Sequence, residues 1–497
     1  MEFVVDEVSV IFNKIKNKFL KLFKDYKNTF LILFIAFGIG FYPIIRANFN
    51  YIDDIGRVFF GYKDWNNFSR HLSCFFSNFI HADSYLTDVS PLTQIIATIF
   101  LVISAIIILR TITDRKKFSI LEVISVVPLG ISPYFLECIS YKYDSPYMAM
   151  SILFSVIPFV FYKKDNLVYC ISIIFCMLGM CMTYQAASGI FPMIVVLIGL
   201  KKWMNKDKYK DIFKFIGISI FGYLIGMVIF KFCFMTNVST YVSNSMPSFD
   251  KLIPTFVYNI KTYFETIGSD FKKGWLWLSS FVCLGCLFRM IRGSKQKKTT
   301  SLIVGCISII VMFILSFGMY SFLETPLFRP RSMYGFCVFI TLIGSFVVTN
   351  KGMYFTKFVY LILIWCFFVF SFTYGNVLVL QKEYMDFRVF SVIDDLKDLD
   401  ILNDTIHNKA QISGTIGRAP AIENMPQNYK LLNRLVPITF CNSSYLWGRM
   451  QFENYYKLDR LIWDNSFDFT EDDLPILKDT IYHTIKGNER KLLIILK

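Results

Sequence analysis

The sequence predicts a polytopic α-helical membrane protein with a small α/β domain at its C-terminal end. Three observations predict it. Apolar residues make up 55% of 497 residues, with a mean hydropathy of +0.48, more than a soluble chain of this size can bury. Eleven apolar stretches approach the roughly 20 residues that cross a bilayer, near 29–46, 91–110, 119–136, 146–162, 167–183, 187–200, 213–230, 275–290, 301–322, 335–349 and 358–377. The short loops between them alternate between lysine clusters and mixed polar segments, which is how membrane proteins encode orientation.

Taken in order, residues 1–28 form a basic amphipathic helix. Val8, Ile11, Ile15, Phe19, Leu22 and Phe23 share one face and lysines fill the rest, as suits an anionic inner leaflet. This segment does not read as a cleavable signal, because its basic region is long and no small-residue site follows the apolar run. With the N-terminus cytoplasmic, the inside loops carry 25 basic residues against 12 in the outside loops before the tail. The net charge of +15 is then mostly an orientation signal and calls for no nucleic-acid partner. Residues 29–377 form the membrane domain, with outer loops at 46–90, 137–145, 231–273 and 323–334. An odd number of spans puts residues 378–497 outside. In that tail, 382–399 has helical spacing, 410–416, 434–440 and 491–497 read as strands, and the acidic run 463–474 reads as a solvated face.

Chemistry-bearing residues gather in the outer loops. Asp53-Asp54, Gly56 and Arg57 follow the first span, where ionisable groups are costly and mark function. The stretch 65–80 has an apolar side of Leu72, Phe75, Phe76 and Phe79, as for a helix lying on the membrane surface. Tyr141-Lys142-Tyr143-Asp144 forms a second short loop, Tyr184-Gln185 a third, and Arg329-Pro330-Arg331 a later one. Proline beside Arg331 fixes the backbone that presents a guanidinium to a phosphate, while headgroup anchoring is the competing reading of both arginines. Glu122 is the main charge within the spans. The twelve cysteines and four histidines show no metal-ligand spacing; Cys283 and Cys286 form a CxxC without a partner pair, and no metal or other cofactor is expected.

A carboxylate beside arginines at the outer surface suits transfer of a sugar from a pre-activated, lipid-borne donor, since nucleotides are absent there. The order Asn50-Tyr51-Ile52-Asp53-Asp54-Ile55-Gly56-Arg57, Trp65, Arg70, Ser90-Pro91-Leu92, Tyr141 to Ser145, Tyr184-Gln185 and Pro330-Arg331 resembles the serotype-converting O-antigen glucosyltransferases over about residues 28–375. The resemblance implies a GT-C-like glycosyltransferase in the bacterial inner membrane. It implies an undecaprenyl-phosphate-sugar donor, a polysaccharide or lipid-linked glycan acceptor, and inversion at the anomeric carbon. On this reading Asp53 or Asp54 is the general base, and Arg57, Arg329 and Arg331 bind the donor phosphate. Arg70, Lys142, Tyr143, Asp144, Tyr184 and Gln185 then contact sugar or acceptor. A divalent metal is compatible with the aspartate pair but not required. The alternatives are a transporter or flippase of lipid-linked sugars, which predicts an inverted repeat not visible by eye, and a polysaccharide polymerase or ligase.

Overall fold

The structure, a computed structural model, describes residues 2–236, 245–401, 408–442, 447–455, 461–463, 474–488 and 490–497. The basic N-terminal segment and the first span form one 46-residue helix, α1 (Glu2–Ala47). Leu33, Phe37 and Phe41 along it are fully buried, whereas Leu31, Ile35 and Ile39 are about half exposed. The four-residue spacing divides the helix into a core face and a lipid face.

The first polar loop folds into α2 (Asp53–Phe60) and α3 (His71–Ile80). The predicted surface helix over 65–80 is interrupted, because Ser69 turns into the left-handed region after a short 3-10 turn at Trp65–Phe68. Then follow α4 (Leu92–Thr113), α5 (Ile120–Ile124), α6 (Pro128–Ile131), α7 (Phe135–Ser140), α8 (Ser145–Val156), α9 (Asn166–Cys181), α10 (Ile190–Met204), α11 (Tyr209–Ile229), α12 (Phe249–Asp270), α13 (Lys273–Gly293), α14 (Lys298–Leu315), α15 (Pro330–Met333), α16 (Gly335–Val348) and α17 (Tyr354–Asp398).

Among the described residues, seven helices are long and apolar enough to cross a membrane: Asp25–Ala47, Leu92–Thr113, Gln185–Met204, Tyr209–Phe234, Lys273–Gly293, Lys298–Leu315 and Tyr354–Asp398. The third, fourth, fifth and tenth expected spans fall instead on apolar helices of 10–17 residues. At about 1.5 Å per residue these fall short of a ~30 Å hydrocarbon layer when straight. Proline explains the break in the third, since Pro128 opens a new helix there. Glu122 is not a charge in mid-span: it closes a capping box with Ser119 at the start of α5 and pairs with Arg115. Every residue of α16 is buried, so this short helix is the centre of the bundle, packed by α6, α10, α13 and α17.

The last span continues unbroken into the C-terminal domain, so residues 382–398 are the end of α17 and no linker marks residue 378. A five-stranded mixed sheet packs beside it. In chain order its strands are β1 (Asn408–Gly414), β2 (Leu461–Trp463), β3 (Ile476–Asp479), β4 (His483–Gly487) and β5 (Lys491–Leu496), and across the sheet the order is β2-β1-β5-β4-β3. β1 runs parallel to β2 and β5, with Ala410 opposite Leu492, and β4 is antiparallel to its neighbours. Arg388 of α17 is buried and donates to the Tyr482 and Lys497 carbonyls, fastening helix to sheet. The segment 434–440 is not a strand. Leu432–Leu435 is a helical turn, and Pro437 has no N–H to give a ladder. Residues 464–473 of the acidic run, and His407, lie outside the described residues.

Candidate active site

A cavity of about 630 Å³ opens where the first polar loop, the turn before α15 and the C-terminal domain meet. Its lining includes six arginines (Arg57, Arg70, Arg329, Arg331, Arg418 and Arg434) and three aspartates (Asp53, Asp64 and Asp144). The excess of positive charge suits an anionic ligand.

The short helix α2 sets the acidic pair. Both aspartates sit in its first turn, where the helix dipole favours them. Gly61 ends the helix in the left-handed conformation, its N–H donating to the Arg57 carbonyl. Adjacent residues point about 100° apart around a helix, so the two carboxylates part company. Asp54 is fully buried beside Arg57, with Oδ1 at 3.9 Å from the Arg57 Nη1. Its Oδ2 accepts N–H bonds from Tyr51 at 3.2 Å and Lys142 at 2.9 Å, tying the first two polar loops together. Burial pushes its pKa up to about 8 against the pull of Arg57, with Asp144 adding to the rise. Asp53, by contrast, lines the cavity. It has no hydrogen-bond or ion-pair partner among the described residues, although Arg57 and Arg331 lie within range of its charge.

Asp144 is fully engaged. It accepts from both terminal nitrogens of Arg57 and from the Trp65 indole at 2.6 Å, and Arg70 lies 4.0 Å away. The Arg57 guanidinium sits 4.9 Å from the Trp65 ring centre. Arg331 is committed as well: its Nη1 donates to Glu137 at 3.0 Å and to the Tyr141 hydroxyl at 2.6 Å, and its backbone N–H donates to the other Glu137 oxygen at 2.6 Å. Arg329, at the start of α15, is exposed and lines the cavity.

Of the remaining expected contacts, Arg70 and Gln185 line the cavity, and Arg70 lies 4.6 Å over the Tyr184 ring. Lys142, Tyr143 and Tyr184 do not line it. Lys142 donates to Asn50 and Asp88, Tyr143 stacks on His81, and Tyr184 stacks on Tyr334. Sequence reasoning missed Glu137, Arg418 and Arg434. Glu137 is a carboxylate flanked by apolar residues and 1% exposed, and that isolation was its signal. The two tail arginines carry no local signal, since only the tertiary fold brings them to the cavity. Arg434 pairs with Asp270 and the Phe328 carbonyl. Among the described residues no group of three or more His, Cys, Asp and Glu is placed to hold a metal ion.

Residues 42–342 match the family model described as Glucosyl transferase GtrII, which takes in every cavity residue above except those of the C-terminal domain. The chain belongs to this glucosyl transferase family. A Salmonella phage P22 protein, described as an uncharacterized 55.3 kDa protein in the gtrB 5′ region, is 23% identical over 465 residues, covering 88% of this chain and 93% of that protein. No solved structure matches. As a member of the glucosyl transferase GtrII family the chain is a multi-pass membrane glycosyltransferase, working between a sugar donor and a glycan acceptor.

Proposed function

We propose that the chain moves a hexose, glucose by the family's description, from undecaprenyl phosphate to an O-antigen-like surface polysaccharide. On this reading it is a GT-C-like enzyme of the bacterial inner membrane. The four shorter apolar helices and the seven long ones together form the membrane domain, the N-terminus is cytoplasmic, and the cavity and C-terminal domain face outward. The observation that carries the proposal is one cavity joining Asp53, a carboxylate without a partner among the described residues, to an excess of arginines.

The acceptor hydroxyl oxygen attacks the anomeric carbon from the face opposite the phosphate. The carbon–oxygen bond to the phosphate breaks, inverting that carbon, while the hydroxyl proton passes to Asp53. Cavity guanidiniums stabilise the charge arriving on the departing polyprenyl phosphate. Asp53 is the better base of the pair, because it lines the cavity and makes no hydrogen bond or ion pair among the described residues. Asp54 is a positioning residue that joins Tyr51 and Lys142. Asp53→Asn should lower kcat by about 10²–10⁴-fold, the usual worth of a general base, with the thermal midpoint unchanged. Near wild-type turnover by a folded Asp53→Asn protein would remove Asp53 from the chemistry.

A further inference from the structure

We infer that the C-terminal domain holds the donor's phosphate, through Arg418 acting with Arg329. This rests on the proposed reading of the donor as a phosphate-bearing lipid and names the clamp that reading leaves open. The cavity arginines are not equally available. Arg57 is neutralised by Asp144, Arg331 by Glu137, and Arg434 by Asp270. Those three hold the walls together. Arg329 and Arg418 have no acidic partner within ion-pair distance among the described residues.

Arg418 is also prepared for a ligand. Its one hydrogen bond among the described residues is long, from Nη2 to the Asn433 carbonyl at 3.4 Å, and its Nε is buried without a partner. A guanidinium edge left open in this way is suited to a two-pronged bond with phosphate oxygens. The backbone on both sides is fixed by one buried side chain of α17. Gln381 donates to the Gly417 carbonyl at 3.2 Å and accepts from the Ala419 N–H at 3.0 Å. Gly417 takes φ +68°, where a side chain would be strained. The long last helix thus aims an arginine of the sheet domain into the cavity.

The test uses the full chain purified in nanodiscs and a short-chain polyprenyl phosphate as probe, comparing wild type, Arg418→Gln and Arg418→Lys. Arg418→Gln should weaken probe binding and raise the donor KM by about 10- to 100-fold, the worth of a charged hydrogen bond. Acceptor KM should be unchanged, and Arg418→Lys should recover part of the loss. Unaltered probe binding by Arg418→Gln overturns the inference. A rise in acceptor KM alone also overturns it, placing an acceptor phosphate there instead. If Arg418→Gln does not fold, Arg418→Lys decides: wild-type binding of both probe and donor by it, with loss confined to acceptor use, counts against the clamp. A wild-type protein that neither binds the probe nor uses the lipid donor would overturn the donor reading itself.

Discussion

Asp53 and Asp54 show how one peptide bond separates two chemical roles. Asp53 meets the cavity; Asp54 is sealed between two loops, and burial raises its pKa from the usual 3.8 to about 8. A carboxyl whose folded pKa is raised contributes stability that is complete below its unfolded pKa and is lost as pH rises through the folded one. Part of the stability should therefore fall away between about pH 4 and pH 8. Thermal midpoints across that range should fall for wild type and flatten in Asp54→Asn; an identical slope in both would show that Asp54 does not titrate there. Glu137 is a different case, a buried acid paired with Arg331 at 3.0 Å. Glu137→Ala should cost about 3–5 kcal/mol by stranding the Arg331 charge, read as a drop in unfolding free energy in detergent.

At the scale of elements, the contact between α1 and α17 sets where the first loop and the C-terminal domain meet. It depends on Gly375: a Cβ there would lie 2.4 Å from Pro43 Cβ and 2.7 Å from its carbonyl oxygen. Gly375→Val should push the helices apart at a cost of about 1–3 kcal/mol and lower transfer activity along with the thermal midpoint. Lost activity with unchanged stability would contradict a packing role. The elements themselves were legible to different degrees. Long apolar runs such as 91–110 declare themselves as helices by composition alone. The two-strand core of the sheet was also readable, from the apolar runs at 410–416 and 491–497. The 434–440 segment was misread because its alternation of apolar residues outweighed Pro437, and the continuity of α17 was hidden by the change from apolar to amphipathic pattern at 382.

For the whole molecule, the alternation of lysine-rich loops with mixed polar loops is the topology signal, and the mixed polar loops carried most of the site. Asp53, Arg57, Arg70, Asp144, Gln185, Arg329 and Arg331 all line the cavity. What sequence could not reveal was which charges cancel one another, because the pairs Arg331–Glu137 and Arg434–Asp270 join residues more than 150 positions apart. The contribution of Arg418 is invisible for the same reason. If the proposed orientation holds, a reporter enzyme active only outside the cytoplasm should be active when fused after Lys497, and a cytoplasmic reporter fused there should be silent; the reverse pattern would invert the topology.

The central claim is that a lipid-phosphate sugar donor and the carboxylate of Asp53 meet in this cavity. The most direct measurement is label transfer by the purified full-length protein from radiolabelled undecaprenyl-phosphate glucose to an O-antigen acceptor, with a nucleotide-sugar donor run in parallel and Asp53→Asn beside wild type. The account predicts transfer from the lipid donor alone, by wild type and not by the variant. Transfer from the nucleotide sugar, or equal transfer by Asp53→Asn, would contradict it.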